Sequence, residues 1–343
     1  MQFRNILVRA TNWVGDAVMS IPALHALRAR FPDAHISILS RPWVAGLYGR
    51  EPFCDAVIPY EDPRGWSGVR SKWRLAADLR RRKFDCAVLL PNSFESAALA
   101  RFAGIPIRVG YARDARSWLL THPIPIPLAG ETPAHQRFYY LELLKRAKLI
   151  DGYSLESPIR LSKAKTVQAR DNSVRIVGVS PGAAYGGAKR WLAERFAEAA
   201  VQIAHELSAS VAIFGSKEEL AICELVRRSI EAAGVPCTDF AGKTALAEFI
   251  ELASACNVFL TNDSGAMHIA SALGVPTVAI FGATDDQATG PTGTHSRVVR
   301  EPVECSPCLL RECPIDHRCM TRVDAARVAE TALSLVVLDR QNA

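Results

Sequence analysis

Three stretches of the sequence combine reactive side chains with a backbone that could hold a ligand. In "NWVGDAV" (12–18) an apolar run, Asn5–Arg9, ends in a turn, and Asp16 stands at the head of a helically periodic segment. Gly15 would let the chain bend there. A carboxylate at a helix start opposes phosphate binding but is held ionised by the helix dipole, which suits it to accepting a proton. In "VSPGAAYGGAKRW" (179–191) another apolar run leads into Gly182, Gly186 and Gly187, then Lys189 and Arg190. Glycines let backbone approach an anion, and a helix N-terminus favours negative charge. A plain strand-to-helix turn accounts for the same glycines, but the Lys-Arg pair favours a diphosphate. The lysine falls one residue late for a P-loop, and no Mg²⁺-binding hydroxyl follows it.

The third stretch is "FLTNDSGAMHIASALG" (259–274), where Asn262, Asp263 and Ser264 are all good helix caps. Either one of them caps the helix, or the N–H groups of Ser264, Gly265 and Ala266 remain available to phosphate. His268 lies one turn in, on the side of Ser264, as a core residue or a ligand. "FGSKEEL" sets Glu218 and Glu219 just after a strand, where an acid commonly holds ribose hydroxyls. Together these features describe a bound nucleotide.

Four of the nine cysteines, Cys305, Cys308, Cys313 and Cys319, fall in "CSPCLLRECPIDHRC" with His317 among them. The opening C-x2-C pair suits a structural zinc site, although the spacing is tighter than in common zinc ribbons. The alternative is a loop of thiols kept reduced in the cytosol. Cys54, Cys86, Cys223, Cys237 and Cys256 are scattered and read as packing residues.

These residues need a scaffold, and the chain's 343 residues are too many for one typical core. Asn5–Arg9, His35–Leu39, Ala56–Pro59, Cys86–Leu90 and Arg108–Gly110 read as strands. Periodic segments at Ala17–Arg30, Val69–Arg82, Ser93–Ala103 and Pro133–Leu149 read as helices. The pattern restarts with strands at Arg175–Val179, Ala212–Phe214, Val258–Leu260 and Thr277–Phe281, separated by helical segments. Such alternation implies parallel sheets covered on both faces, with ligands at the carboxyl ends of the strands. Asp151–Asn172 loses periodicity and reads as a linker. We therefore expect α/β domains at 1–165 and 166–322, with a final helix, 323–343, packing back across the linker.

The longest uncharged run, Ser264–Thr284, is broken by "GVP" and reads as a helix and a buried strand, not a membrane span. The opening residues lack a signal-peptide pattern, so a cytoplasmic protein is expected. The net charge of +6 conceals an asymmetry: residues 1–165 hold 25 Lys and Arg against 14 Asp and Glu, whereas 166–343 hold 16 against 21. A basic first domain points to an anionic partner. No nucleic-acid-reading module is evident, and none is expected to bind.

The stretches "NILVRATNWVGDAVMSIPAL", "SPGAAYGGAKRW" and "NDSGAMHIASALGVPTVAIFG" resemble the ADP-heptose:lipopolysaccharide heptosyltransferases of glycosyltransferase family 9, most closely the heptosyltransferase II members. The resemblance implies a GT-B architecture: two Rossmann-like doubly wound parallel-sheet domains facing a central cleft. It implies ADP-heptose held by the second domain and a lipopolysaccharide inner-core acceptor held by the first, at the cytoplasmic face of the inner membrane. It also implies transfer with inversion and no required metal or other cofactor. By motif, Asp16 matches the catalytic base and Lys189 the lysine on the donor phosphates. Asp263, Ser264, Gly265 and His268 match the donor group, with Gly182 and Tyr185 in the diphosphate turn. Glu219 or its neighbour Glu218 matches the ribose ligand. Arg64, Arg113 and Arg116 fall in regions that hold the acceptor's anionic groups. Two alternatives remain: a GT-B transferase with another donor or acceptor, and a non-catalytic nucleotide-binding protein. A dinucleotide oxidoreductase is disfavoured, because neither half carries G-x-G-x-x-G followed by an acid.

Overall fold

The computed structural model describes residues 2–63, 65–162 and 174–342. They form two compact units, Met1–Ser157 and Pro158–Ala343. Part of the expected linker, 163–173, lies outside the described residues.

The first unit runs β1 (Asn5–Arg9), α1 (Val14–Met19), α2 (Ile21–Arg30), β2 (His35–Ser40), α3 (Pro42–Tyr48) and β3 (Ala56–Pro59). It continues with α4 (Gly65–Arg81), β4 (Cys86–Leu89), α5 (Phe94–Phe102), β5 (Ile107–Tyr111), β6 (His122–Ile124) and α6 (Arg137–Arg146). Its strands are all parallel, in the order β3-β2-β1-β4-β5-β6.

The second unit begins with β7 (Ile176–Ser180), α7 (Ala193–Leu207), β8 (Ser210–Ile213), α8 (Leu220–Ala232), β9 (Cys237–Asp239) and α9 (Leu246–Ala253). There follow β10 (Val258–Asn262), α10 (Gly265–Ala272), β11 (Thr277–Phe281), α11 (Asp286–Thr289), β12 (Ser296–Arg300), α12 (Arg318–Thr321) and α13 (Ala325–Asn342). Its parallel sheet is ordered β12-β11-β10-β7-β8-β9, the same winding as the first. In each unit the order reverses beside the first strand, between β1 and β4 and between β7 and β10. Loops leaving such a pair diverge to opposite faces and open a crevice at the carboxyl edge.

The central strands are the apolar runs legible in the sequence, because burial on both faces excludes alternation. All five residues of β10 and of β11 are buried. The unexpected strands, β6, β9 and β12, each pair along one side only. They are short or polar, and β6 contains Pro123, which an edge tolerates.

The expected helix Ala17–Arg30 is two helices. Pro22 has no N–H for the Val18 carbonyl, and its ring crowds the preceding turn. The chain breaks at Ser20, whose hydroxyl turns back onto the Ala17 carbonyl at 2.7 Å. Asp16 is thereby left on a six-residue helix of its own. Gly15 lies inside that helix with no positive φ, so the expected bend is made instead by Trp13, the extended N-cap residue. The final helix α13 packs on α7 and on β10, β11 and β12, burying Val328, Ala329, Ala332 and Leu335 in the second unit's core. Among the described residues no helix is long and apolar enough to cross a membrane.

Candidate active site

In the second unit the reversal of strand order sets the loop after β7 beside the loop after β10. Asn262, the last residue of β10, is fully buried and joins them. Its Oδ1 accepts the Trp191 N–H at 2.9 Å, and its Nδ2 donates to the Pro181 carbonyl at 2.8 Å. One amide therefore pins both ends of the glycine-rich turn. Trp191 is itself buried and stacks edge-on against Phe196 of α7, which anchors the turn's far end in the core.

The next residue, Asp263, is 5% exposed and holds two partners on one oxygen. Lys189 Nζ lies 2.5 Å from Oδ2, and the Thr284 hydroxyl donates to the same atom at 2.6 Å. Ser264 is the N-cap residue of α10 in position, but its side chain caps nothing. Its hydroxyl pairs with the Thr261 hydroxyl at 3.1 Å instead. The capping reading of this motif thus fails in the side chain, and the first N–H groups of α10, from Gly265 on, keep their capacity for an anion. His268 is buried within α10.

Of the two acids, Glu219 reaches the turn. A Cβ on Gly182 would lie 2.1 Å from the Glu219 Cδ, so the glycine makes room for this carboxyl. Glu219 Oε2 also accepts the Ser216 N–H at 2.8 Å in a capping box, which fixes its rotamer. Gly186 and Gly187 make room for protein as well: a Cβ on them would lie 2.3 Å from the Arg311 carbonyl oxygen and 2.4 Å from Glu312 Oε2. The Tyr185 hydroxyl donates to the Leu309 carbonyl at 2.8 Å.

The cysteine segment is therefore a packing partner of the turn. Among the described residues no three His, Cys, Asp or Glu side chains are disposed to hold a metal ion. Cys305 is exposed, Cys308 and Cys313 half-buried and Cys319 buried, and all four are free thiols. Burial pushes the Cys319 thiol above its usual range. His317 Nε2 is 3.0 Å from the Ala188 carbonyl.

In the first unit Asp16 occupies the third position of α1, after β1. The Tyr140 hydroxyl of α6 donates to Asp16 Oδ1 at 3.2 Å. Burial, then the Asp16 charge, raises Tyr140 well above the ordinary phenol range, so it stays protonated and can only donate here. Nothing in the local pattern around Tyr140 marked it; it meets Asp16 only because α2 and α6 pack together.

The three candidate acceptor arginines differ. Arg64 lies outside the described residues. Arg113 is exposed, with Asp114 3.6 Å away. Arg116 is 0% exposed and already committed. Its guanidinium donates to the carbonyls of Tyr111 and Pro91, to Ser96 Oγ at 2.9 Å and to Asn92 Oδ1. Burial lowers it to about 10. Its place is as a strut beneath the loop after β4, with no face open to an acceptor.

A family model for glycosyltransferase family 9 (heptosyltransferase) matches residues 72–318. Lipopolysaccharide heptosyltransferase 2 of Salmonella typhimurium is 33% identical, over 86% of this chain and 87% of its own length. The protein of that name from Escherichia coli is 32% identical over the same shares. The solved structure of E. coli ADP-heptose lps heptosyltransferase II has a TM-score of 0.82 and 29% identity, covering 99% of this chain and 100% of its own.

Asn262→Ala strips the turn of both anchors and leaves the Trp191 N–H and Pro181 carbonyl unpaired in the core. Unfolding free energy should fall by about 2–4 kcal/mol, measured by urea denaturation. A loss below about 0.5 kcal/mol would refute the bracket.

Proposed function

We infer from one established fact, that the chain belongs to glycosyltransferase family 9, how its two sites serve a heptosyl transfer. The chain is a glycosyltransferase, and the reaction we propose moves a heptose from ADP-heptose to the lipopolysaccharide inner core with inversion. The observation that carries the donor half is the convergence, at the β7–β10 reversal, of Lys189, Asp263 and the uncapped start of α10.

In that reaction an acceptor hydroxyl oxygen attacks the anomeric carbon. The bond from that carbon to the diphosphate oxygen breaks, and ADP leaves with the electron pair. The developing charge falls on the β-phosphate. Lys189 and the N–H groups at the start of α10 stabilise it, as preorganised dipoles and charges do best when little water competes. Gly182, Tyr185, Ser264, Gly265 and His268 form the remainder of the donor site, and Glu219 holds the ribose. The proton lost by the acceptor passes to Asp16. The Tyr140 hydrogen bond supports this role by fixing the orientation of the carboxylate. Arg113 and Arg64 remain candidates for the acceptor's anionic groups. Arg116 acts through the loop it braces.

An acceptor anchored in a membrane requires the enzyme to visit that surface. The first unit carries a suitable face on α4, α5 and the 3₁₀ turn Ser117–Leu119. Trp66 is 87% and Trp118 73% exposed. Trp73 packs on Phe102 and Phe94 on Trp118, with ring centres 5.1 and 6.0 Å apart, yet all four residues are exposed. Arg70, Arg74 and Arg101 are exposed on the same elements. Aromatic rings beside cations suit an anionic headgroup region.

Three outcomes follow. Purified protein given ADP-heptose and an acceptor bearing one heptose should release ADP, and Asp16→Asn should lower that rate at least about a hundredfold. No release by wild type overturns the reading, and an undiminished rate removes Asp16 as the base. Tyr140→Phe deletes a donor that stabilises the ionised carboxylate, so the base keeps its proton to higher pH. The acid limb of the rate profile should move up by about one unit, with the plateau rate nearly retained. Finally, the protein should float with phosphatidylglycerol-containing vesicles at low salt. The Trp66→Ala/Trp118→Ala double variant should lose most of that binding; flotation equal to wild type would exclude this face.

A further inference from the structure

The glycine-rich turn of the second unit is covered by Leu309–His317, the middle of the cysteine-bearing segment. Besides the Tyr185 and His317 contacts, the Gly187 N–H donates to Glu312 Oε1 at 2.9 Å and the Ala188 N–H to the Arg311 carbonyl at 2.8 Å. The Leu309 N–H donates to the Ala283 carbonyl at 2.7 Å, tying the segment to the loop after β11. It is a strap across the carboxyl edge, held at both loops that flank Asp263. Room for it comes from Gly186 and Gly187.

Among the strap's exposed side chains is Arg311. Its Cζ lies 5.3 Å from the centre of the Tyr185 ring, and Lys189 Nζ lies 4.7 Å from the same centre. The structure thus gathers two cations around one ring against their mutual repulsion. They differ in one respect. Asp263 largely cancels the charge of Lys189, whereas among the described residues no carboxylate lies within ion-pair distance of Arg311. Glu312, its neighbour, is turned to the Gly187 N–H. A leaving nucleoside diphosphate carries more than one negative charge, so the neutralised lysine does not match it alone. A guanidinium fork also matches phosphate geometry in a way an ammonium does not.

We propose that Arg311 is a donor-site residue: it and Lys189 grip the nucleotide's diphosphate from around Tyr185, with the strap delivering the cation that Asp263 cancels at Lys189. The proposal rests on the donor reading given above. It makes the cysteine-bearing segment part of the nucleotide site.

The test is calorimetric titration of the full-length chain with ADP and with adenosine. Arg311→Gln should weaken ADP about tenfold, the loss of one charge-assisted contact, and flatten the salt dependence of ADP binding. Adenosine affinity should be unchanged, and Arg311→Lys should recover part of the loss. ADP binding within twofold of wild type would overturn the proposal. So would an equal loss for adenosine, since that reports a distorted turn and not a missing charge. A wild-type chain that binds no ADP would instead overturn the donor reading itself, and this proposal with it. Tyr185→Phe keeps the ring and removes only the strap's Leu309 bond. It should weaken ADP less than Arg311→Gln does, and the reverse order would identify the strap's anchorage, not its charge, as the contribution.

Discussion

The side-chain amide of Asn262, at the end of β10, holds both ends of the turn after β7, 71 and 81 residues away in the chain, and the second unit's site is organised around it. By accepting from Trp191 and donating to Pro181 it satisfies a buried donor and a buried acceptor at once. Such groups are costly to leave unpaired, so the turn between them has little freedom to drift. Several of the site's polar groups follow within a residue or two. Asp263, next in sequence, receives Lys189 from the turn; Ser264 begins α10; and the strap closes over Tyr185–Ala188, the part of the turn the amide does not hold. The position works because β10 lies beside β7, which is where the strand order reverses.

The two units share a winding yet present opposite chemistry at the loop after their first strand. After β1 comes a carboxylate on a six-residue helix; after β7 come glycines, a lysine and backbone donors. The fold supplies the same crevice each time, and only the residues inserted there decide whether it repels or attracts an anion. Pro22 contributes to that difference. By ending α1 at Ser20 it detaches the turn bearing Asp16 from the longer α2, against which Tyr140 of α6 is packed.

Much of this was readable from residue types, and the failures have physical causes. Central strands declared themselves as unbroken apolar runs, and the three motifs fall on the loops after β1, β7 and β10. Edge strands β6, β9 and β12 escaped because one unpaired side frees a strand from that pattern. The glycines of the turn were legible as close approaches but not as to what approaches: Glu219, Arg311 and Glu312, two of them more than 120 residues away. Arg116 was expected among the groups that hold the acceptor's anions, and it is buried. Its burial depends on Gly110, where a Cβ would lie 3.1 Å from its Nη2, and on carbonyls from another loop. The cysteine spacing drew the eye to the thiols, whereas the contacts of that segment with the turn are made by Leu309, Arg311, Glu312 and His317.

The Lys189–Asp263 pair is poor evidence for stability, since withdrawing two charges from water costs about what their attraction returns. Its geometry argues for a different use. With Thr284 on the same oxygen, Asp263 has its rotamer fixed and holds the Lys189 ammonium at one point beside the uncapped start of α10. A lysine free in solution would spread its charge over many rotamers and would have to be ordered as the leaving group departs. Here that ordering is completed during folding, so the charge meets the phosphate without reorganisation. The carboxylate that fixes the lysine also weakens its field, and a site built this way has reason to recruit a second cation from elsewhere in the chain.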